Sequence, residues 1–278
     1  MVNEFGVWTA LKLISVAYWQ YVYTTIISRH LNRLRRETMA YLDVMAGSGL
    51  NLIREGGHRV GGSAVLAALV PRRKFDYIVA IEKDPKRAAA LKARLATIRS
   101  PSSFEVVAAE ADAVIDRVLA DLERRKAHFL AFIDYQGVKG FSSTSMEHLL
   151  QAPCDVWFTY FPNAKRVYAK DKDDCRDLFG DLVDEATDYD NLLNLWDESL
   201  LEYRGIKYRF PIDSGKGYFY HLIFLTRETR HGSPYTRAAD DLGRRLDAVK
   251  GNFAKIVLDI LSGQQKEIDP EVWEKQGA

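Results

Sequence analysis

Acidic residues and glycines stand at the ends of several apolar runs, where their side chains and amides can hold a ligand. In LDVMAGSGLN (42–51), Asp43 is followed by Gly47 and Gly49. A strand that enters a Gly-x-Gly turn and then a helix lets backbone amides approach a ligand closely, because a β-carbon there would occupy the ligand's space. This stretch therefore predicts a loop that binds a nucleotide-like cofactor.

Dinucleotides and S-adenosylmethionine both use loops of this kind. The dinucleotide fingerprint needs a third glycine three residues after the second, and Leu52 occupies that position. Asp43 would repel a pyrophosphate, whereas a carboxylate favours the cationic sulfonium and ammonium groups of S-adenosylmethionine. Asp43 can also simply accept hydrogen bonds from loop amides, and the two roles are compatible. The loop predicts S-adenosylmethionine as the cofactor.

Two further acids extend this predicted site. Glu82 ends the run IVAIE, where an acid can accept both ribose hydroxyls of a nucleoside lying across the strand tips. A solvated acid at a strand end is the alternative interpretation. Asp112 follows the third run and is predicted to reach the adenine amino group, with Glu110 as a rival for that contact. A helix-capping role for Asp112 is an equally good interpretation.

Asp134 ends the fourth apolar run, in FIDYQG. In an α/β sheet this position faces the reactive end of the ligand, and a carboxylate there can orient an amine or take its proton. Asp134 is therefore the predicted catalytic residue. Tyr135 and Gln136 follow it as candidate substrate contacts, although Tyr135 can instead fill the wall of the site.

The elements that must position these residues alternate along the chain. Strand-like runs and helical segments follow one another, and Ser63 and Pro85 are predicted at the starts of two of these helices. This rhythm indicates right-handed crossovers and a parallel sheet with helices on both faces. Two late runs predict an antiparallel hairpin. The expected fold is α/β, a Rossmann-like class I methyltransferase fold with a mostly parallel seven-stranded sheet. The five strand-like runs are AYLDVMA, FDYIVAIEKD, SFEVVAAEAD, AHFLAFIDYQG and CDVWFTYFP, and the late runs are YRGIKYRFPI and YFYHLIFLTR.

The whole chain, 1–278, is predicted to form one domain. It comprises an N-terminal helical extension (1–39), the Rossmann-like core (40–230) and a C-terminal helical segment (231–278). The first helix is expected to run from about Gly6 to Thr38, REGGHRVGGS (54–63) is expected to be a loop, and the last helix is expected to cover about 240–261. The apolar stretch 13–28 is interrupted by polar residues and is shorter than the roughly 20 residues that a membrane span needs.

Composition narrows the classes of partner and site. The chain has 39 basic and 38 acidic residues, so its net charge does not demand a nucleic acid. Basic segments at Arg29, Arg33 and Arg36, at 72–74 and at 164–170 leave a nucleic-acid substrate open. Two cysteines without metal-ligand spacing argue against a zinc site or a disulfide framework, and a reducing, cytoplasmic compartment fits.

Several motifs taken together resemble a known family. YLDVMAGSG, GGSAVLAAL, IVAIEKD, FIDYQG and GYFYHLIFLTR, in this order, are similar to the three-Cys-motif partner family of class I S-adenosylmethionine-dependent methyltransferase-like proteins. The resemblance implies that Asp43, Gly47 and Gly49 match the cofactor loop, Glu82 the ribose acid and Asp134 the acid of the fourth strand. It also implies a partner protein that carries the three-Cys motif.

The chain departs from the family at two positions. The family commonly has proline where this chain has Ala64 and Tyr135, and DYQG lacks the prolines of the nucleic-acid amino-methyltransferase motif. We therefore expect an S-adenosylmethionine-dependent methyltransferase of unknown acceptor, with nucleic acid as one candidate. The alternative is a cofactor-binding scaffold without turnover that acts with a three-Cys-motif protein. A nicotinamide-dependent reductase is disfavoured by Leu52 and Asp43.

Overall fold

The computed structural model describes residues 2–6, 8–54, 57–100, 102–135, 137–160, 164–213, 219–227 and 234–248. Within these ranges the strands are β1 (Asn3–Phe5), β2 (Thr38–Val44), β3 (Leu50–Ile53), β4 (His58–Gly61), β5 (Tyr77–Ile81), β6 (Ser103–Val107), β7 (Ala127–Ile133), β8 (Cys154–Tyr160), β9 (Ile206–Asp213) and β10 (Phe219–Thr226). The α-helices are α1 (Trp8–Ile27), α2 (Ser63–Leu69), α3 (Pro85–Thr97), α4 (Ala111–Arg124), α5 (Ser143–Gln151), α6 (Ala164–Lys170), α7 (Arg176–Phe179), α8 (Leu182–Glu185), α9 (Tyr189–Arg204) and α10 (Pro234–Ala248).

Seven of the strands form one sheet in the order β6-β5-β2-β7-β8-β10-β9. The first five are parallel to one another, and β10 is antiparallel to both β8 and β9. Every residue of β5 and β8 is buried, as expected for parallel strands covered on both faces. The strand order and the antiparallel hairpin confirm the predicted α/β, Rossmann-like class I methyltransferase fold.

The carboxyl ends of the central strands are level with one another. Val44 at the end of β2 pairs with Ile81 of β5 and Ile133 of β7, and Ile81 pairs with Val107 of β6. The residues that follow these strands therefore emerge side by side at one edge of the sheet. Because neighbouring strands lie about 4.8 Å apart, the tips from β6 to β7 span about 14 Å.

The sheet is covered on both faces. Successive residues of β2 alternate between two hydrophobic clusters, with Tyr41 in one and Leu42 in the other. Helix α1 covers the Tyr41 face, where Trp19 packs against Trp157 of β8 and Phe224 of β10 with ring centroids 5.4 and 4.3 Å apart. This packing fixes α1 across the sheet and brings its first turns to the carboxyl edge.

A second, three-stranded sheet corrects the prediction of a loop at 54–63. Strand β4 lies within that segment, pairs antiparallel with β3, and β3 pairs parallel with β1. Both β3 and β4 are four residues long, which is the shortest run in which hydrophobic alternation can mark a strand. The pairing of β3 with β1 joins residues far apart in the chain, such as Asn3 and Asn51.

The first helix is shorter than predicted. Helix α1 ends at Ile27, and the chain then runs through turns as far as Arg35, which has a positive φ of 54°. Arg29, Arg33 and Arg36 therefore do not share one helical face. Arg36 is held instead by Glu123 at 2.6 Å. The segment after Ile27 is mostly polar and partly exposed, so it lacks the apolar stripe that would continue the helix.

The predicted helix starts have different outcomes. Pro85 opens α3 as predicted, and the Asp84 carboxylate caps that helix. Ser63 does not cap α2, because Gly62 is the N-cap residue and the Ser63 hydroxyl donates to Asp43 instead. The predicted last helix is described only as far as Ala248. Its remainder and the hairpin turn at 214–217 lie outside the described residues.

Over the described ranges, no helix has both the length and the hydrophobicity needed to cross a bilayer. Helix α1, the most apolar candidate in the sequence, packs its apolar side chains on the sheet.

Candidate functional site

A cleft of about 410 Å³ opens at the carboxyl edge of the sheet. Its floor comes from the segments that follow four adjacent strands: Gly47 after β2, Glu82 after β5, Glu110 after β6 and Asp134 after β7. Strand β1 and the first turns of α1 border it from outside the main sheet. Its volume falls in the usual range of roughly 300–1,000 Å³ for small-molecule sites.

The two glycines of the loop after β2 are required for different structural reasons. Gly47 and Gly49 both adopt positive φ, at 66° and 76°. A Cβ at Gly47 would lie 2.6 Å from the side-chain nitrogen of Asn3, at the cleft. A Cβ at Gly49 would lie 2.5 Å from Leu91 of α3, away from the cleft lining. Gly47 thus keeps the cleft open, whereas Gly49 lets α3 pack on the loop.

Glu82 ties two strand tips together and lines the cleft. It is 5% exposed, its Oε2 accepts a hydrogen bond from the Gly47 amide at 2.8 Å, and its Oε1 accepts one from the Asp84 amide at 2.9 Å. Each carboxylate oxygen can accept a second hydrogen bond. The arrangement holds the glycine loop in place and leaves acceptor capacity for a ligand's hydroxyl groups.

Asp43 lies beneath the cleft and not on its surface. It is fully buried, and its Oδ2 accepts a hydrogen bond of 2.5 Å from Ser63, which does line the cleft. Burial raises the pKa of Asp43 to about 8, with the hydrogen bond from Ser63 opposing the shift and the nearby charge of Asp134 adding to it. Near neutral pH the side chain is therefore mostly protonated. Asp43 supports the site through Ser63, a different role from that of a charge facing the ligand.

Asp134 is held in an ion pair with Lys12 of α1. The Lys12 ammonium donates to Oδ1 at 2.8 Å and to Oδ2 at 2.6 Å, and Thr159 of β8 also donates to Oδ1 at 3.3 Å. Both Lys12 and Asp134 line the cleft. The sequence predicts that Asp134 orients or deprotonates an amine of the substrate. In the structure, the amine that contacts Asp134 is the ammonium of Lys12.

Glu110 and Asp112 are separated by the structure. Glu110 lines the cleft and lies 3.7 Å from the ammonium of Lys83. Asp112 is exposed and accepts hydrogen bonds from the amide and hydroxyl of Ser142, at 2.9 and 3.0 Å. Asp112 does not line the cleft. Of the two rivals for an adenine contact, Glu110 is the one that the cleft presents.

Tyr135 packs in the core. It is 1% exposed, its hydroxyl donates to the carbonyl of Phe141 at 2.9 Å, and its ring contacts Phe141 and Phe158. Burial also raises its pKa well above the ordinary value. This placement agrees with the alternative that Tyr135 fills the wall of the site and does not contact a substrate. Gln136, the other candidate substrate contact, lies outside the described residues.

Several residues that line the cleft are not predicted from the sequence as site residues. Asn3, Thr9 and Lys12 line the cleft although they precede the sheet in the chain. Lys12 alone carried a usable signal, because it is the only charged residue of α1 and a buried lysine is nearly always paired. Nothing local marks Asn3 or Thr9, since their approach to the cleft depends on β1 joining β3.

The basic segments considered as phosphate contacts lie away from the cleft. Residues 29–36 precede β2 and residues 72–74 precede β5, so both are at the amino-terminal edge of the parallel strands. Neither segment lines the cleft, and neither does 164–170. Among the described residues there is also no cluster of His, Cys, Asp and Glu that could hold a metal ion.

Sequence comparison gives no family: no protein-family model matches the chain, and no curated protein is significantly similar to it. Solved structures with a similar course of chain include the O-methyltransferase from Bacillus cereus in complex with SAH. It is 12% identical, with 76% of this chain and 80% of that chain covered and a TM-score of 0.43. Human methyltransferase-like protein 13 in complex with SAH is 14% identical, with 84% and 93% covered and a TM-score of 0.45. Trm1 from Pyrococcus horikoshii with S-adenosyl-L-methionine is 14% identical, with 86% and 58% covered and a TM-score of 0.42.

Proposed function

We propose that this chain is an S-adenosylmethionine-dependent methyltransferase. The observation that carries the proposal is a cleft bordered by Glu110, Glu82, Gly47 and Asp134 from four adjacent strand tips. In this order the cleft offers an acceptor for adenine, acceptors for the ribose, an open backbone and a carboxylate at the far end. A nucleoside with a charged, extended tail fits that sequence of groups.

The fit of the cofactor rests on Glu82 and Gly47. The Glu82 carboxylate is buried, fixed by two amides, and still able to accept from two hydroxyls. Gly47 has no side chain to fill the space between Glu82 and Asp134, and the nearest atoms that a Cβ would meet there are those of Asn3. A dinucleotide would bring a pyrophosphate to this loop, and the phosphate would need hydrogen bonds from backbone amides. The Gly47 amide already donates its hydrogen bond to the Glu82 carboxylate, which would also repel a phosphate.

The chemistry is supplied by the cofactor, because S-adenosylmethionine carries an already activated methyl group. The protein has to orient an acceptor and manage one proton. Asp134 is the carboxylate at the reactive end, and Lys12 and Thr159 fix its two oxygens.

Among the described residues, the lining of the cleft is balanced in charge, with four acidic residues (Glu4, Glu82, Glu110 and Asp134) and four basic ones (Lys12, Lys83, Arg87 and Lys139), and the acids beside it disfavour a nucleic-acid acceptor. The cations that suggested one lie outside the cleft lining. Next to the cleft, the amide of Gly140 donates to Asp177 and the ammonium of Lys139 to Asp174. Both acids belong to the segment 171–190, which has nine acidic and two basic residues. A polyanion would be repelled at that rim.

Calorimetry with S-adenosylhomocysteine tests the cofactor, and radiolabelled methyl transfer tests turnover. We expect S-adenosylhomocysteine to bind and NAD to leave the thermal midpoint unchanged. Labelled methyl groups should enter a protein or small-molecule pool and not RNA or DNA, and Asp134→Ala should abolish the labelling. Heat from NAD alone would overturn the cofactor assignment. Binding without transfer to any pool would instead establish the scaffold.

We further propose that the chain belongs to the three-Cys-motif partner family and acts beside a three-Cys-motif protein in the cytoplasm. The support is the order of the motifs from YLDVMAGSG to GYFYHLIFLTR, together with two cysteines that are both buried and unpaired. Co-expression with a three-Cys-motif protein should give a complex that survives gel filtration. Separate elution of the two proteins, with and without S-adenosylmethionine, would contradict this proposal.

A further inference from the structure

Lys12 is an unusual residue in its surroundings. Helix α1 is 20 residues long and Lys12 is its only charged residue. The side chain is 7% exposed, yet it lies in the wall of the cleft and not in the packed face against the sheet. Burying an ammonium is costly unless its N–H groups are matched, so its position calls for a specific partner.

Asp134 is the hydrogen-bond acceptor for the Lys12 ammonium, but it does not use the whole donor capacity of that group. An ammonium group has three N–H donors, and the hydrogen bonds of Lys12 to described residues all go to the two oxygens of Asp134. Asp134 in turn accepts from Thr159. The pair is overall neutral, so it offers one positive and one negative group side by side in the cleft.

The surroundings of the pair are polar and buried. Thr9, Asn51 and Ser63 also line the cleft, and they are 3%, 5% and 6% exposed. Thr9 and Asn51 can donate hydrogen bonds to a ligand, whereas the Ser63 hydroxyl already donates to Asp43. A purely structural ion pair does not need two further buried donors that open onto the same cavity.

The placement of the nucleoside under the proposed function decides which end of the donor arrives here. With the nucleoside over Glu110 and Glu82, the rest of the donor extends past β2 towards Asp134 of β7, across the strand tips that span about 14 Å. The far end of S-adenosylmethionine is an amino acid, which carries an ammonium and a carboxylate. A lone carboxylate would be repelled by Asp134, whereas a zwitterion matches both members of the pair.

We propose that the Lys12–Asp134 pair is the recognition site for the zwitterionic amino-acid end of the methyl donor, with Lys12 receiving the carboxylate and Asp134 the ammonium. Helix α1, an element outside the sheet and its loops, thus supplies a cofactor-binding residue. The inference rests on the proposed function, because it names the part of the same cleft that holds one end of the donor.

The test compares two ligands by calorimetry. S-adenosylhomocysteine has the amino-acid end, and 5′-methylthioadenosine keeps the nucleoside and sulfur without it. The wild-type protein should bind S-adenosylhomocysteine roughly 10- to 100-fold more tightly, as expected for charge-assisted hydrogen bonds. Lys12→Met should remove most of that preference by weakening S-adenosylhomocysteine alone, and Lys12→Arg should restore part of it.

The controls separate recognition from support of the fold. Lys126→Met removes a lysine at the opposite edge of the sheet, where it pairs with Glu37, and should leave both affinities unchanged. The double variant Lys12→Met with Asp134→Asn avoids a buried unpaired carboxylate and should also show no preference between the ligands. An equal loss of both ligands in Lys12→Met, or no loss of either, would overturn the inference. Failure of the wild-type protein to bind either ligand would overturn the proposed function instead.

Discussion

In our interpretation, Glu82 holds the glycine loop in place and also accepts hydrogen bonds from the ligand. A substitution of Glu82 tests both roles. We expect Glu82→Ala to weaken S-adenosylhomocysteine binding by about 1.5–3 kcal/mol, because a charged acceptor for hydroxyl groups is lost. The Gly47 amide also loses its acceptor. Calorimetry measures the change. Glu123→Ala, which removes a surface acid that pairs with Arg36, is the matched control and should bind as the wild type does.

Asp43 makes stability depend on pH in a direction opposite to that of an ordinary salt-bridged acid. Its pKa is raised to about 8 by burial, whereas an unfolded aspartate titrates near 3.9. Between these values the folded state keeps a proton that the unfolded state has released. The free energy of unfolding therefore falls as the pH rises through this window, by at most about 1.4 kcal/mol per pH unit from this group.

The Asp43→Asn variant isolates this contribution. Asparagine keeps an acceptor for the Ser63 hydroxyl but has no proton to lose. Urea unfolding of both proteins at pH 5, 6, 7 and 8 should show the stability of the wild type falling relative to the variant across that range. A difference that stays constant with pH would mean that Asp43 is ionised in the folded protein throughout.

At the scale of elements, a comparison of Gly49 with Gly57 separates two costs of replacing a glycine, namely backbone strain and steric conflict with packed helices. Both have positive φ, at 76° and 68°, but a Cβ at Gly57 meets nothing within 4 Å, whereas one at Gly49 would reach Leu91 and Val65. Gly57→Ala should cost about 1–2 kcal/mol for the left-handed backbone. Gly49→Ala should cost about 1–3 kcal/mol more, because α2 and α3 must move. Equal midpoints and slopes in urea would contradict this account.

The strands of the main sheet can be predicted from the sequence because each one carries its own signal. The runs that form β2, β5, β6, β7 and β8 are apolar and end in an acid, a glycine or a proline. The pattern alone therefore predicts that Glu82 and Asp134 lie at one edge. The second sheet carries no such signal, because β1, β3 and β4 are only three or four residues long and β1 joins β3 by a pairing between distant parts of the chain.

The parts of the site that sequence patterns miss are those that tertiary packing decides. Lys12 reaches Asp134 only because α1 lies on the sheet through Trp19. Tyr135 turns into the core, where the Phe141 carbonyl accepts a hydrogen bond from its hydroxyl. Neither direction follows from the residues that flank these positions. Spacing along the chain predicts which strand end a residue occupies, but packing decides whether its side chain faces the cavity.

Across the whole molecule, the two edges of the sheet differ in the charged segments that they carry. The amino-terminal edge carries the arginines of 29–36 and the basic residues at 72–74, and it lacks contact with the cleft. The carboxyl edge carries the cleft and the acidic segment 171–190 beside it. Any polyanion that binds this protein should therefore bind the edge opposite the cleft and should not compete with the cofactor.

Cofactor binding should leave the same asymmetry in amide hydrogen exchange. On addition of S-adenosylhomocysteine we expect slower exchange in β1, in the first turns of α1, and in the loops that follow β2, β5 and β6, because these segments line the cleft. At 100 times the dissociation constant, bound ligand stabilises the fold by about 2.7 kcal/mol, so global opening slows as well. Comparison at short exchange times, before global opening contributes, isolates the local effect. Protection confined to 29–36 and 72–74 would place the ligand at the other edge, and the assignment of the cleft would then be wrong.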